Sequence, residues 1–178
     1  NLTNASYALV VEGSEDVQAL NALLPMLSKK VKKSIEENAI VIEAIGGSGN
    51  LPYKLSLLKT ALCETHSLLD YDTAGRDAFS KAESDALITE KECTFVICKG
   101  MKDSEFEDCI NIDIYKNAFF ERFGVDLDKP TFKNNNKWSE RVRATFLDQG
   151  KQWNDKAKSS AKRVVSDEVV KNPGNAFN

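Results

Sequence analysis

Histidine is nearly absent from this chain, His66 being the only one in 178 residues. The four cysteines (Cys63, Cys93, Cys98 and Cys109) contain no Cys-x-x-Cys pair, so the usual ligands of a zinc site are missing. They read as free thiols of a reducing cytoplasm, three or four of them buried. No apolar run approaches the roughly 18 residues that a membrane span requires. The opening stretch Asn1–Ser6 carries no basic residues ahead of apolar ones and is unlike a secretory signal. A chain that starts so abruptly before its first apolar run reads as a piece of a longer protein. No Walker A motif (G-x-x-x-x-G-K-[ST]) occurs, which argues against an ATPase within these residues. There is no internal repeat, and no low-complexity segment beyond Asn134-Asn135-Asn136.

What is present suits an ordinary globular chain. Hydrophobic residues make up 42% and charged residues 29%, enough for one sizeable core with a small appendage. Net charge is −3, which taken alone argues against a nucleic-acid partner. Its distribution argues the other way. Residues 1–128 hold 13 Lys and Arg against 22 Asp and Glu, a balance of −9; residues 129–178 hold 11 against 5, a balance of +6. An acidic front and a basic tail suit a metal-binding half beside a phosphate-binding half, although solvated surface charge gives the same pattern.

Periodicity predicts alternating strands and helices over the first hundred residues. Tyr7–Val11 and Ala39–Ile45 are short apolar runs of the kind buried in parallel sheets. Ser67–Leu69 and Cys93–Cys98 read as further strands. Between them, Ser14 caps a helix with Val17, Leu20, Leu23, Leu24 and Leu27 at helical spacing. Leu51–Thr65, with Leu55, Leu58 and Leu62 on one face, and Arg76–Leu87 read as two more helices. Later, Asp113–Phe123, Trp138–Gln149 and Asp155–Val170 look helical, and Asp126–Asn136 reads as a polar loop. The expected class is α/β, a parallel-rich sheet flanked by helices with a C-terminal helical extension. The expected division is a core at 1–125 and a basic extension at 126–178.

Ligands of open parallel sheets bind beyond the carboxyl ends of the strands. Carboxylates gather there in this sequence. Glu12 follows the first strand and Asp16 lies one helical turn on; Asp70 and Asp72 follow the third; Glu105, Glu107 and Asp108 come soon after the fourth. Asp70 and Asp72 share a face of an extended segment. Such a group repels itself unless a cation intervenes, and an all-oxygen set suits magnesium or manganese. Singly, each piece is as easily a turn, a helix start or a solvated strand end; the signal is their joint placement. The loop Gly46-Gly47-Ser48-Gly49-Asn50 has no lysine after it and is not a P-loop; it reads as a site floor, or as backbone N–H groups meeting a phosphate.

These residues resemble a known family. Leu9-Val10-Val11-Glu12-Gly13 with Asp16 is similar to the Glu-Gly-x-x-Asp opening of Toprim domains, and Leu69-Asp70-Tyr71-Asp72-x-x-Gly75 to their Asp-x-Asp strand end. The Gly46–Asn50 loop and Gly100-x-x-x-x-Glu105-Phe106-Glu107-Asp108 resemble, more narrowly, the Toprim half of the OLD (overcoming lysogenization defect) nucleases. The likeness covers about residues 7–110 and continues loosely through Lys137-Trp138-Ser139-x-Arg141 to Lys162-x-x-Val165. It implies two-metal cleavage of DNA by a metal-dependent endonuclease, with an N-terminal ABC-type ATPase domain in the full chain, a homo-oligomer formed through that domain, and a role in anti-phage defence. Glu12, Asp16, Asp70, Asp72 and Glu107 would then be metal ligands, with Glu105 and Asp108 as neighbours whose register is ambiguous. Glu12, Asp70 and Asp72 would also be catalytic. The cofactor would be Mg²⁺ or Mn²⁺, with Ca²⁺ a non-productive substitute. Lys162, followed by Val165 and Val169 at helical spacing, matches the lysine such nucleases use near the scissile phosphate; Lys158 on the same face is its rival.

Other Toprim activities share the Glu and Asp-x-Asp set. Nothing marks Tyr7, Tyr53, Tyr71 or Tyr115 as a topoisomerase nucleophile, and a primase would need a zinc module. RNA-maturing nucleases remain an alternative. From a different class, a receiver-like domain also gathers magnesium-binding acids at strand ends, with Asp70 as phosphoacceptor and Lys99 as the late lysine. The overall expectation is a cytoplasmic, DNA-cutting enzyme that does not engage membranes.

Overall fold

The computed structural model describes residues 5–177. Residues 1–4, on which the reading of the N-terminus partly rests, lie outside the described residues. The chain divides into two compact units, Asn1–Val96 and Ile97–Asn178. Residues 97–125, which the sequence places in a core at 1–125, fall in the second unit by packing.

The first unit is built on a four-stranded, wholly parallel sheet. Its strands are β1 (Tyr7–Val11), β2 (Ile40–Ala44), β3 (Glu64–Asp70) and β4 (Cys93–Val96), in the order β2-β1-β3-β4. Helices α1 (Ser14–Leu27), α2 (Lys29–Glu36), α3 (Leu51–Thr60) and α4 (Thr73–Ser84) connect them. This is the α/β architecture expected from the alternating pattern. β1 is central, paired on one side with β2 and on the other with β3, and this accounts for its short apolar sequence. Ala8 and Val10 are fully buried and join Leu51, Leu55 and Leu58 of α3, Leu69 of β3 and Ala82 of α4 in one core. Burying a valine or leucine side chain contributes about 1.5–3 kcal/mol.

Two local expectations give way, and one helix is unforeseen. The cap of α1 is Gly13, whose N–H donates to the Asp16 carboxylate at 2.8 Å, and Ser14 is the first helical residue. Helix α3 stops at Thr60, because the chain turns there through Leu62 at φ +58° to begin β3 early, at Glu64. Leu62 is consequently 90% exposed and no part of the buried face. Helix α2 has no counterpart among the expected elements: in KKVKKSIE only Val31 and Ile35, one turn apart and half-buried, are apolar. It starts where Ser28 Oγ accepts the Val31 N–H at 3.1 Å.

The second unit is helical: α5 (Lys116–Phe123), α6 (Trp138–Asp148) and α7 (Asp155–Lys171), with short 3₁₀ turns including Phe106–Cys109. Its core is aromatic. Trp138 and Phe119 are fully buried, Tyr115 nearly so, and the Trp138 indole N–H donates to the Tyr115 hydroxyl at 3.3 Å. Phe119 stacks with Phe123 and Phe146, and Phe146 with Trp153, at centroid separations of 4.8, 5.9 and 4.9 Å. Helix α7 is capped by Asn154, which accepts the Ala157 N–H, and turns Ala161, Val165 and Val169 inward. The helical C-terminal part is as expected. None of the four cysteines is in a disulfide, and only Cys63 is buried; Cys93, Cys98 and Cys109 are half-buried, fewer than the three or four buried thiols expected. Among the described residues no helix is long and apolar enough to cross a membrane.

Candidate active site

In the sheet of the first unit, the chain leaves β1 toward β2 and returns past it to β3. The carboxyl ends of β1 and β3 therefore flank the point where the strand order reverses, the place at which open parallel sheets hold ligands. Glu12 is the residue after β1, and Asp70 is the last residue of β3. They are joined directly: the Asp70 N–H donates to Glu12 Oε1 at 3.2 Å. Asp70 is buried and Glu12 half-buried.

The two further acids of this unit begin the helices that leave these strands. Asp16, buried, sits in the first turn of α1 and holds the Gly13 N–H. Asp72 caps α4 by accepting the Gly75 N–H at 2.9 Å. Carboxylates at helix N-termini are stabilised by the orphan N–H groups and the helix dipole there. Gly75 explains how closely α4 approaches the strand. A Cβ at this position would lie 2.2 Å from the Asp70 carbonyl oxygen and 3.3 Å from Glu12 Oε1. Only a glycine lets the first turn of α4 rest on the end of β3.

The glycine-rich loop after β2 is tied to the same strand end. Its Gly46 N–H donates to the Glu12 carbonyl at 3.2 Å, and Asn50 Nδ2 donates to the carbonyls of Ile45 and Gly46. Gly46 and Gly47 take φ of +69° and +113°, which L side chains rarely adopt. The Gly46 N–H is thereby taken up by the backbone beside Glu12.

The other candidates all lie in the second unit. Glu105 is committed on both oxygens: Oε2 accepts the Ser139 N–H at 2.7 Å, and Oε1 accepts the Ser139 hydroxyl at 2.9 Å and pairs with Lys137 at 3.3 Å. Burial, the largest influence, pushes its carboxyl up, but Lys162, Lys137 and the Ser139 hydrogen bonds together hold it below the ordinary value. Asp108 accepts the N–H groups of Glu105 and Trp138 on one oxygen, at 2.8 and 3.1 Å, and pairs with Arg141 through the other. Glu105 and Asp108 thus bind the start of α6 to the Phe106–Cys109 turn. Glu107 differs. Its Oε2 meets Lys162 Nζ of α7 at 3.1 Å, with the carboxylate side chain 3% exposed and the lysine 20%. Lys158, one turn earlier and half-buried, makes no ion pair with a described carboxylate.

Lys137, Ser139 and Arg141 were visible in the sequence as a motif but not as partners of particular acids. The link runs between a Glu-x-Glu-Asp segment and a Lys-Trp-Ser-x-Arg segment, and only the folded chain pairs them.

The donor set of the first unit is all oxygen, the chemistry a hard divalent cation asks for. Among the described residues, no three Asp, Glu, His or Cys side chains are grouped so as to hold a metal ion between them. Magnesium is less demanding than that, since it is commonly held by one or two carboxylates and completes its shell with water and phosphate oxygens. Glu12 and Asp70 are the two acids of this unit that a hydrogen bond joins at the strand ends. Comparison with protein-family models, with curated proteins and with solved structures gives no match to this chain.

Proposed function

We propose that this chain is a metal-dependent DNA endonuclease whose first unit holds Mg²⁺ or Mn²⁺ on the acids at the ends of β1 and β3. The observation that carries the reading is the joining of Glu12 to Asp70 at the reversal point of the sheet. Phosphodiester hydrolysis needs positive charge for the phosphoryl oxygens that gain charge in the transition state, and a bound divalent cation supplies it. Glu12 and Asp70 would hold that cation, with Asp72 and Asp16 as the neighbouring acids. The Asp70 N–H donates to one oxygen of the Glu12 carboxylate and so favours one orientation of it. In the second unit, Lys162 is the cation proposed to meet substrate phosphate, and Glu107 holds its ammonium in place. The excess of basic residues over 129–178 supplies the backbone affinity. An ATPase domain elsewhere in the full protein, oligomerisation through it, anti-phage defence and a cytoplasmic setting belong to the same proposal.

Incubation with supercoiled plasmid and Mg²⁺ or Mn²⁺, beside an Asp70→Asn control, tests the reading. Metal-dependent nicking or linearisation, lost in the control, is the expected result. Cleavage that persists in the control, or a complete lack of cleavage together with no magnesium binding by calorimetry, sinks it.

One observation favours a second reading. The order β2-β1-β3-β4 is also that of the flavodoxin-like doubly wound folds, which include phosphoacceptor domains. In that reading Asp70 accepts a phosphoryl group. Acetyl phosphate with Mg²⁺ separates the two, because labelling of Asp70 without DNA cleavage belongs to the acceptor alone.

A further inference from the structure

Cys98 and Cys109 are eleven residues apart in sequence, yet their sulfurs lie 3.6 Å from one another. The chain between them is folded back deliberately. It reverses through Gly100 at φ +82°, and the Met101 N–H returns to the Cys98 carbonyl at 3.2 Å. Ser104 Oγ then accepts the Cys98 N–H at 3.2 Å, and the Phe106–Cys109 turn delivers the second sulfur. A disulfide has a sulfur separation of about 2.05 Å, so closure asks the two side chains to approach by about 1.5 Å, within the reach of χ1 rotation. Both residues are half-buried rather than sealed in the core.

We infer that Cys98 and Cys109 form a redox-responsive dithiol, which a low-molecular-weight disulfide closes into an intramolecular bridge around residues 98–109. In the first step the Cys98 thiolate attacks a sulfur of oxidised glutathione, releasing one glutathione thiolate and leaving a mixed disulfide. The Cys109 thiolate then attacks Cys98 Sγ and releases the second glutathione. The two cysteine protons end on the two glutathione thiols. The cysteine pair has lost two electrons and glutathione has gained them. The other two cysteines are poor competitors. Burial pushes the Cys93 thiol up to about 11, and burial, reinforced by Glu43 and Glu64, raises that of Cys63. The ring would enclose Ser104 to Asp108, the segment that carries Glu105 and Glu107. Its formation does not depend on the nuclease reading.

The experiment is equilibration of the whole chain in reduced and oxidised glutathione, followed by alkylation and peptide mass spectrometry. The expected result is a fall from four alkylatable thiols to two, with one peptide linked through Cys98 and Cys109 and a mass loss of two hydrogens. The Cys63→Ser/Cys93→Ser double variant keeps that link, and Cys98→Ser replaces it with glutathione held on Cys109. Amide exchange over residues 104–109 slows by about tenfold on closure, as expected when local opening is restrained. Four alkylatable thiols at the most oxidising ratio would overturn the inference. So would links that join other cysteines or separate chains.

Discussion

The backbone N–H of Asp70 reaches across 58 positions of sequence to donate to Glu12 Oε1. The contact uses the main chain of one acid and the side chain of the other, so it does not depend on the Asp70 carboxylate. It needs only an acceptor at position 12. Glu12→Gln preserves that acceptor and removes the charge. The variant should unfold within about 1 kcal/mol of the parent, the scale of one hydrogen bond. Its cleavage and its calorimetric magnesium binding should fall at least about a hundredfold, the scale of losing one transition-state contact. A Gln variant that binds magnesium as the parent does would remove Glu12 from the site.

Gly75→Ala tests the seat of α4 on β3. Alanine is the better helix former by about 1 kcal/mol, so propensity alone forecasts a gain. The Cβ placed 2.2 Å from the Asp70 carbonyl oxygen forecasts the reverse. Overpacking of this kind costs typically 1–3 kcal/mol, and the obstacle here is main chain that has little room to yield. Urea denaturation should show a net loss of about 2 kcal/mol or more.

Glu105 makes stability depend on pH. Its folded value lies below the ordinary one, so the group contributes stability above the unfolded carboxyl value, near 4.3, and loses it as pH falls through the folded value. Glu105→Gln should cost about 3 kcal/mol at neutral pH, because it leaves Lys137 and Ser139 in buried surroundings without the carboxylate. The difference between parent and variant should shrink as the medium is acidified below that range. A difference that stays constant from pH 7 to pH 3 would contradict the assignment.

Lys162 and Lys158 are one helical turn apart on α7, and only Lys162 is held by a buried acid, Glu107. Lys162→Met should lower the cleavage rate about a hundredfold at saturating metal, with far smaller change in DNA affinity. Lys158→Met should stay within about threefold of the parent, at the cost of a shallower salt dependence of binding. Equal losses in the two variants would mean that neither lysine has a special place.

Leu62 carries a left-handed backbone, φ +58°, with its side chain almost wholly in water. A side chain there costs about 1–2 kcal/mol and buries nothing in return. Leu62→Gly, even with the extra entropy of an unfolded glycine, should raise stability by about 0.5–1 kcal/mol, read as a higher denaturation midpoint with an unchanged slope.

The strands of the first unit were legible because buried parallel strands have a plain signature. YALVV and AIVIEAI are short, apolar and bounded by glycine or acid, and the structure keeps both almost to the residue. The position of Glu12 followed from the end of YALVV, and that of Asp70 from the end of the third expected strand, Ser67–Leu69. Two failures concern helix ends and faces. The helical repeat at Leu55, Leu58 and Leu62 continued on paper past the residue at which the chain turned into β3, because periodicity has no term for where a neighbouring strand must start. The apolar face of helix α2 is only Val31 and Ile35, too short a repeat to stand out among its lysines. The roles of Glu105 and Asp108 could not be read for a different reason: a carboxylate's partner is a fact of tertiary structure, and Ser139 and Arg141 are 34 and 33 positions away.

Helix α2 has a practical use that follows from what it does not do. Its eight residues bury no side chain, and their local bonds are the Ser28 cap and exposed pairs such as Lys32 with Glu36 and Lys33 with Glu37. Such pairs contribute little in water. This stretch is therefore the place to graft an affinity tag, a fluorophore or a reversed charge while the sheet and its acids keep their positions. A probe placed there would report on tumbling and encounter without entering the chemistry.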